Sequence, residues 1–421
     1  MNVAHSILFV DQTGKLGGAE LCLADLAVHL RKRSAVLLFE PGPFQRLLEE
    51  GGVNTIVVRE RVGGPALPTN VSKKSKAMAY VLALPAFLGL LISTLRVARA
   101  FDVLYANTAK ALVITALVGR ILRKPFLFHL HDILSAEHFN PFNRWLLVTA
   151  ANSATGIITN SGATAEAYRK AGGRNQNLTV VPNGFLIERF SSDSLTSETL
   201  TRLRKAIGSE GKPLVGMFGR ITEWKGQRIL IQALAKLPEV RAVIVGDAIF
   251  TEEDQEYKRG LADLAEQLNV ADRVHFAGFQ SDILPFLKAV DLVVHCSVSP
   301  EPFGRVIVEA QLAGKPVIAT RCGGPAEIIE DGVTGILVDP GDSGALVSAI
   351  GKLLTNRRWA EMLARSGRDA AAQRFALERV LSDWTTFIDR NVSAVRGTEL
   401  TTSKKITQRD EAEREVTLTG G

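Results

Sequence analysis

The chain has 421 residues, 46% hydrophobic and 22% charged, with 50 Lys and Arg against 44 Asp and Glu for a net charge of +6. That composition excludes a wholly disordered chain, and the length suggests two or three domains, each able to bury a core. Three scattered cysteines with no CxxC pair exclude a disulfide framework. Aromatics are only 6% and no nucleic-acid module is recognisable, so the acidic partners expected of this basic chain are phosphate-bearing ligands or an anionic surface, not nucleic acid.

In chain order, strands are predicted at 6–11, 35–39, 55–58, 103–107, 126–131, 156–159 and 179–181, then at 214–218, 242–246, 274–277, 292–296, 317–320 and 335–338. Apolar strands separated by helical patterns indicate parallel sheets covered on both faces, and two such series indicate an α/β chain of two Rossmann-like domains. The predicted division is 1–190, a polar connector over 191–212, a second domain over 213–374, an amphipathic helix within 375–397, and a Lys-, Glu-, Arg- and Thr-rich tail from Thr398 expected to be disordered. Residues 1–30 lack a signal-peptide pattern, so the expected compartment is the cytoplasm.

The segment Ala77–Leu95 is uncharged and long enough for a membrane span, but it falls between two strands of one predicted sheet and contains Pro85. A helix packed on the first domain is expected. Either it is buried, or it lies in the membrane interface with Lys73, Lys74, Lys76, Arg96 and Arg99 beside acidic lipid.

Four clusters carry chemistry. The run EPFGRVIVE, Glu301 to Glu309, is predicted to sit on a strand–loop–helix unit, with Glu301 in the loop, Gly304 near the helix start and Glu309 inside the helix. Gly304 lets a ligand approach the backbone, free N–H groups at a helix start attract phosphate, and Glu309 is placed to accept hydroxyl hydrogen bonds. FGRITEWKGQ, Phe218 to Gln227, puts Arg220 and Lys225 on a Gly-containing loop after a strand, which suits a diphosphate; a solvated basic loop is the alternative. In DQTGKLGGAELCLADLAVHL, Asp11 to Leu30, a strand end, a Gly-rich turn and a helix, Gly17 and Gly18 form either a plain turn or one that presents backbone N–H groups. In FLFHLHD, Phe126 to Asp132, His129 and His131 share a face; a zinc site with His138 and a structural histidine are the alternatives to a ligand contact. Glu327 is either a helix-start carboxylate or a ligand to a hydroxyl, and Asn183 shapes a turn or touches ligand.

The stretch EPFGRVIVEAQLAGKPVIATRCGGPAEII, Glu301 to Ile329, resembles the signature of the GT-B retaining glycosyltransferases of family 4, which carry two glutamates separated by seven residues. The resemblance covers nearly the whole chain before its tail and is strongest from Val215 to Val338. It implies two Rossmann-like domains with parallel sheets facing an inter-domain cleft, and transfer of a sugar from a nucleotide donor with retention of configuration. By that resemblance Arg220 and Lys225 grip the diphosphate, Glu309 holds the ribose, and Glu301 and His131 orient sugar hydroxyls. Backbone around Phe303, Gly304 and Arg305 contacts phosphate and sugar, backbone at Gly278 and Phe279 holds the base, and the Gly17–Gly18 loop faces acceptor and donor phosphate. The family also sends its last helix back onto the first domain. No protein nucleophile is evident. The chain has no Asp-x-Asp motif, so no metal cofactor is expected. The expected partners are a nucleotide sugar, a lipid-linked or saccharide acceptor, and a peripheral membrane contact on the cytoplasmic face. A GT-B epimerase or phosphorylase and a non-catalytic binding subunit are the rival readings.

Overall fold

The computed structural model describes residues 5–58, 73–136, 139–191, 195–249 and 251–393, the side chains of 73–83 excepted. His138 and the tail from Thr398 lie outside the described residues. The chain divides into two compact units: Met1–Thr159, Tyr168–Val181 and Leu381–Gly421 form one, and Asn160–Ala167 with Pro182–Val380 the other.

The first unit holds β1 (Ile7–Asp11), β2 (Ser34–Leu38), β3 (Asn54–Val57), β4 (Val103–Ala106), β5 (Phe126–Leu130), β6 (Gly156–Thr159) and β7 (Leu178–Val180). They form one seven-stranded sheet in the order β3-β2-β1-β4-β5-β6-β7, and every pairing is parallel. The second unit holds β8 (Leu214–Phe218), β9 (Arg241–Val245), β10 (Val274–Gly278), β11 (Leu292–His295), β12 (Val317–Thr320) and β13 (Ile336–Val338). Their order is β10-β9-β8-β11-β12-β13, again parallel. All 13 predicted strands are present with ends within a residue or two. They were legible because a parallel sheet covered by helices buries both faces of each strand and leaves near-continuous apolar runs. In β8, Leu214 and Phe218 enter one core while Val215 and Met217 enter the other. Val293 and Val294 in β11 divide the same way, the two-residue alternation of a strand. Burying each such side chain is worth about 1.5–3 kcal/mol.

In both sheets the order in which strands are added reverses at one point, between β1 and β4 in the first and between β8 and β11 in the second. In open α/β sheets, ligands bind beyond the carboxyl ends of the strands at such a point. Asp11 ends β1 and His295 ends β11, and Arg220 and His131 follow β8 and β5 closely.

Two further elements bear on the sequence reading. Lys73–Ala98 is one 26-residue helix that continues through Pro85. Among the described residues, no helix is long and apolar enough to cross a membrane. In the stretch read as a connector, Ser197–Ala206 is helical, its start capped by the Thr196 hydroxyl. The last helix, residues 377–393, places Trp384 in the first unit: its ring stacks on Phe9 and its Nε1 donates to the Tyr105 hydroxyl at 2.9 Å.

Candidate active site

In the second unit the chain leaves β8 at Gly219, passes Arg220, makes one 3-10 turn over Glu223–Lys225, and reverses at Gly226. Gly226 has φ 72°, and a Cβ there would meet the Cys296 carbonyl oxygen at 2.1 Å. Only glycine lets the two loops close to that distance. Val298 N–H donates to the Trp224 carbonyl at 2.8 Å, and the buried Gln227 side chain holds the Arg220 carbonyl at 2.7 Å. These bonds bring Lys225 Nζ to 2.5 Å from Glu301 Oε2, with both side chains about nine-tenths buried. Lys225 Nζ also lies 4.3 Å from the centre of the Trp224 ring.

Glu301 is held by its backbone as well. Its N–H donates to the Cys322 carbonyl and its carbonyl accepts from Gly324 N–H. Its Oε2 lies 3.2 Å from His295 Nε2 and 3.0 Å from the Ser297 hydroxyl. Burial by itself would raise the Glu301 pKa, but the Lys225 charge and the His295 hydrogen bond outweigh it and hold the carboxyl well below the usual carboxylate range. Burial draws Lys225 down and Glu301 opposes it. The pair is therefore a salt bridge, a carboxylate against an ammonium.

Gly304, at φ 98°, starts the helix Arg305–Leu312 as predicted, with Glu309 on its second turn. Glu309 Oε1 lies 3.6 Å from Arg305, and the Arg305 guanidinium packs over Phe185 at 4.5 Å. Arg305 Nε and Nη1 are buried with no hydrogen-bond partner among the described residues. The Phe303 ring is core, packed edge-on against Phe375, so only its backbone is open to a ligand. Gly278 ends β10 with φ 67°, and the Phe279 ring beside it is half exposed. Glu327 stands in the first turn of the short helix Pro325–Ile328, and its carboxylate accepts from Gly162 and Ala163 N–H, at the start of the helix Gly162–Lys170, at 2.8 and 2.7 Å. Asn183 is buried.

In the first unit, Gly17 caps the helix Gly18–His29 without a side-chain bond. The His131 Nε2 lies 3.0 Å from Asn107 Oδ1, and Asn107 Nδ2 donates to Asp11 Oδ2 at 2.7 Å. Because the Asn107 nitrogen faces Asp11, its oxygen faces His131, which therefore carries its proton on Nε2. Burial raises the Asp11 pKa to about 6 against the opposing bonds from Asn107 and Thr13. His129 is a structural histidine. Trp384 donates to the Tyr105 hydroxyl, whose proton goes on to His129 Nδ1 at 2.8 Å. Burial, then repulsion from His131, keeps His129 neutral. His129 binds Tyr105 through Nδ1 and His131 binds Asn107 through Nε2, which leaves His129 Nε2 buried without a hydrogen-bond partner among the described residues. Among the described residues no cluster of three metal-ligating side chains is found.

The sequence reading missed His295, Ser297, Asn107, Tyr105 and the side chain of Asp11. A signal did exist for the first two: His295 and Ser297 alternate at the end of an apolar strand just before Glu301.

The fold and the two strand-end sites define a GT-B protein. The family model "Glycosyltransferase Family 4" matches residues 16–189 and "Glycosyl transferases group 1" matches residues 201–371. The crystal structure of Anabaena HepE in complex with UDP and glucose is similar at a TM-score of 0.82 and 39% identity, covering 91% of this chain and 99% of that one. The lipopolysaccharide core biosynthesis glycosyltransferase LpsE of Rhizobium meliloti is 39% identical over 168 residues, 40% of this chain and 47% of that protein. A GDP-mannose-dependent phosphatidylinositol monomannoside mannosyltransferase of Mycolicibacterium smegmatis is 32% identical over 236 residues, 54% of this chain and 60% of that protein. The matched region thus spans about half the length of these curated relatives. The chain belongs to the family 4, group 1 glycosyl transferases.

Proposed function

We propose that the protein transfers a sugar from a nucleotide-sugar donor to an acceptor hydroxyl with retention of configuration, in the synthesis of a cell-surface polysaccharide or glycolipid. The observation that carries this reading is the buried Lys225–Glu301 pair at the carboxyl ends of β8 and β11. Glu301 precedes the helix start at Gly304 by three residues, and Arg305 Nε and Nη1 beyond it have no hydrogen-bond partner among the described residues. Arg220 and Lys225 neutralise charge that grows on the leaving diphosphate, which stabilises the transition state more than the bound substrate. Glu309 takes the ribose, Glu301 and His131 orient sugar hydroxyls, and Arg305 with the helix start takes phosphate. Backbone at Gly278 and Phe279 takes the base, and the Gly17–Gly18 loop faces acceptor and donor phosphate. These cations make a divalent metal unnecessary. The test is a screen of nucleotide sugars, UDP-glucose first, for release of nucleoside diphosphate, with product analysis for glycoside, sugar phosphate or epimer. Glycoside formation that persists in chelator supports the reading. Sugar phosphate or epimer as sole product supports a GT-B phosphorylase or epimerase, and donor binding without turnover supports a binding subunit.

The acceptor side of the same reading is a membrane-borne saccharide, met by peripheral attachment to the cytoplasmic face. Leu84, Leu88 and Ile92 form an exposed stripe at four-residue spacing on the helix Lys73–Ala98. The next two helices of that face, Ala109–Leu122 and Pro141–Asn152, expose Leu117, Ile121, Phe142 and Trp145. Arg96, Arg99, Arg120 and Arg123 are exposed at their ends. An apolar patch with cations at its rim suits an anionic lipid interface. Flotation with neutral and anionic liposomes tests it: Ile121→Asn with Trp145→Ala should lower binding to both, and replacing Lys73, Lys74 and Lys76 by Glu should lower the anionic preference. Wild-type protein that stays unbound on both liposome types rules the attachment out.

A further inference from the structure

Glu301 Oε2 receives three hydrogen bonds, from Lys225 Nζ at 2.5 Å, the Ser297 hydroxyl at 3.0 Å and His295 Nε2 at 3.2 Å. Among the described residues none of its hydrogen bonds falls on Oε1. Ser297 and His295 Nε2 are also 3.1 Å apart. Ser297 has one proton to give. If it goes to Glu301, the hydroxyl lone pair accepts from His295, and His295 must present Nε2–H. The opposite arrangement would turn a ring lone pair on the carboxylate at 3.2 Å. His295 Nδ1 is buried without a hydrogen-bond partner among the described residues, so the anchoring runs through Nε2.

The backbone fixes this cluster before any ligand arrives. His295 is the last residue of β11, Ser297 is two residues on, and the Ser297 carbonyl is held by the Thr320 hydroxyl at 2.8 Å. A lysine alone, with a long stem and three rotating protons, would let the carboxylate turn or would share both oxygens. Two short, rigid donors on the same oxygen fix the carboxylate plane.

We propose that His295, with Ser297, is a positioning residue that saturates Oε2 of Glu301 and so presents Oε1 to the hydroxyls of the donor sugar. This deepens the proposed function and rests on it for the identity of the ligand. Neither His295 nor Ser297 touches the sugar in this account. Their loss should leave nucleoside diphosphate binding intact and impair only the step that needs the sugar aligned.

Two substitutions of similar polarity separate positioning from general disruption. The Gln amide nitrogen reaches the place of the imidazole Nε2, whereas the Asn nitrogen reaches only that of Nδ1. His295→Gln should keep kcat within about threefold of wild type, while His295→Asn should lose roughly 10- to 100-fold in kcat, the cost of a misplaced reacting group. Both should bind UDP within about twofold of wild type by calorimetry, since UDP carries no sugar. Equal kcat for the Gln and Asn variants, or loss of UDP affinity in both, would overturn the proposal. A second measurement needs no turnover: ¹⁵N–¹H correlation spectra of imidazole-labelled protein, with His295 assigned through His295→Gln. The expected signature is a proton on Nε2 and a bare Nδ1, changed by Glu301→Gln; a proton on Nδ1 alone overturns it. If the wild type neither transfers nor hydrolyses any nucleotide sugar, the proposed function fails, and the spectra still decide whether His295 anchors Glu301.

Discussion

The two units carry contrasting buried acids, Asp11 as the last residue of β1 and Glu301 in the loop after β11. Glu301 in the second unit meets an ammonium and two further donors, and its carboxyl is held well below the usual range. Asp11 in the first unit is equally hidden but its bonds come from neutral groups, the Asn107 amide and the Thr13 backbone N–H, and burial lifts it to about 6. Neutral donors ease the burial of a carboxylate without cancelling its desolvation, whereas a nearby cation reverses the sign. One site is thus committed to charge at every physiological pH, and the other changes state in the mildly acidic range.

The largest expected effect comes from breaking the charged site on one side. Lys225→Met leaves Glu301 buried and unpaired, and should lower unfolding free energy by about 3–5 kcal/mol in urea titrations. Adding Glu301→Leu should restore much of that stability but none of the sugar transfer. A single variant as stable as wild type would mean that the pair is not buried in solution.

The neutral site predicts a pH dependence of opposite sign. The folded state binds the Asp11 proton more tightly than the unfolded chain does, so the contribution of Asp11 to stability is complete below its model-peptide value and declines as pH rises through about 6. A shift from 3.8 to about 6 corresponds to roughly 3 kcal/mol by pH 7. Thermal unfolding of Asp11→Asn should lose this slope between pH 4 and pH 7, and a slope identical to wild type would remove Asp11 as its source. Glu301, with its depressed pKa, should show the reverse: its contribution is present above about pH 4 and fades only in stronger acid.

A smaller effect is expected where no charge is involved. Tyr105→Phe leaves Trp384 Nε1 and His129 Nδ1 without the hydroxyl that joins them. The cost should be about 1–3 kcal/mol, with the last helix loosening first in hydrogen exchange. Smallest of all is the exposed Arg202–Glu198 pair, where Glu198→Ala should change stability by under about 0.5 kcal/mol. A larger change there would blur the contrast between buried and exposed ion pairs.

Much of the candidate site was legible because its parts are local. Gly304, the helix start and Glu309 lie within a few residues of one another, so strand, loop and helix signals placed them correctly. His131 after β5 and Lys225 in the turn after β8 lie where strand and loop signals put them. Glu327 stayed ambiguous because its partners, Gly162 and Ala163, lie about 165 positions away. Phe303 was read for its backbone alone; the place of its ring, in the core against Phe375, depends on a partner far along the chain.

By itself the sequence determined the alternation of strands and helices, the two parallel sheets and the loops that end at the site. Strands buried on both faces and helix termini leave periodic marks over short windows. Only the tertiary structure decided which donors converge on which oxygen. Lys225 and Glu301 are 76 positions apart, and Asp11 and Asn107 are 96. The order of strands in each sheet brings these groups together, and exclusion of water then sets their charge. Desolvation belongs to the three-dimensional surroundings of a group, so no local pattern of residues records it.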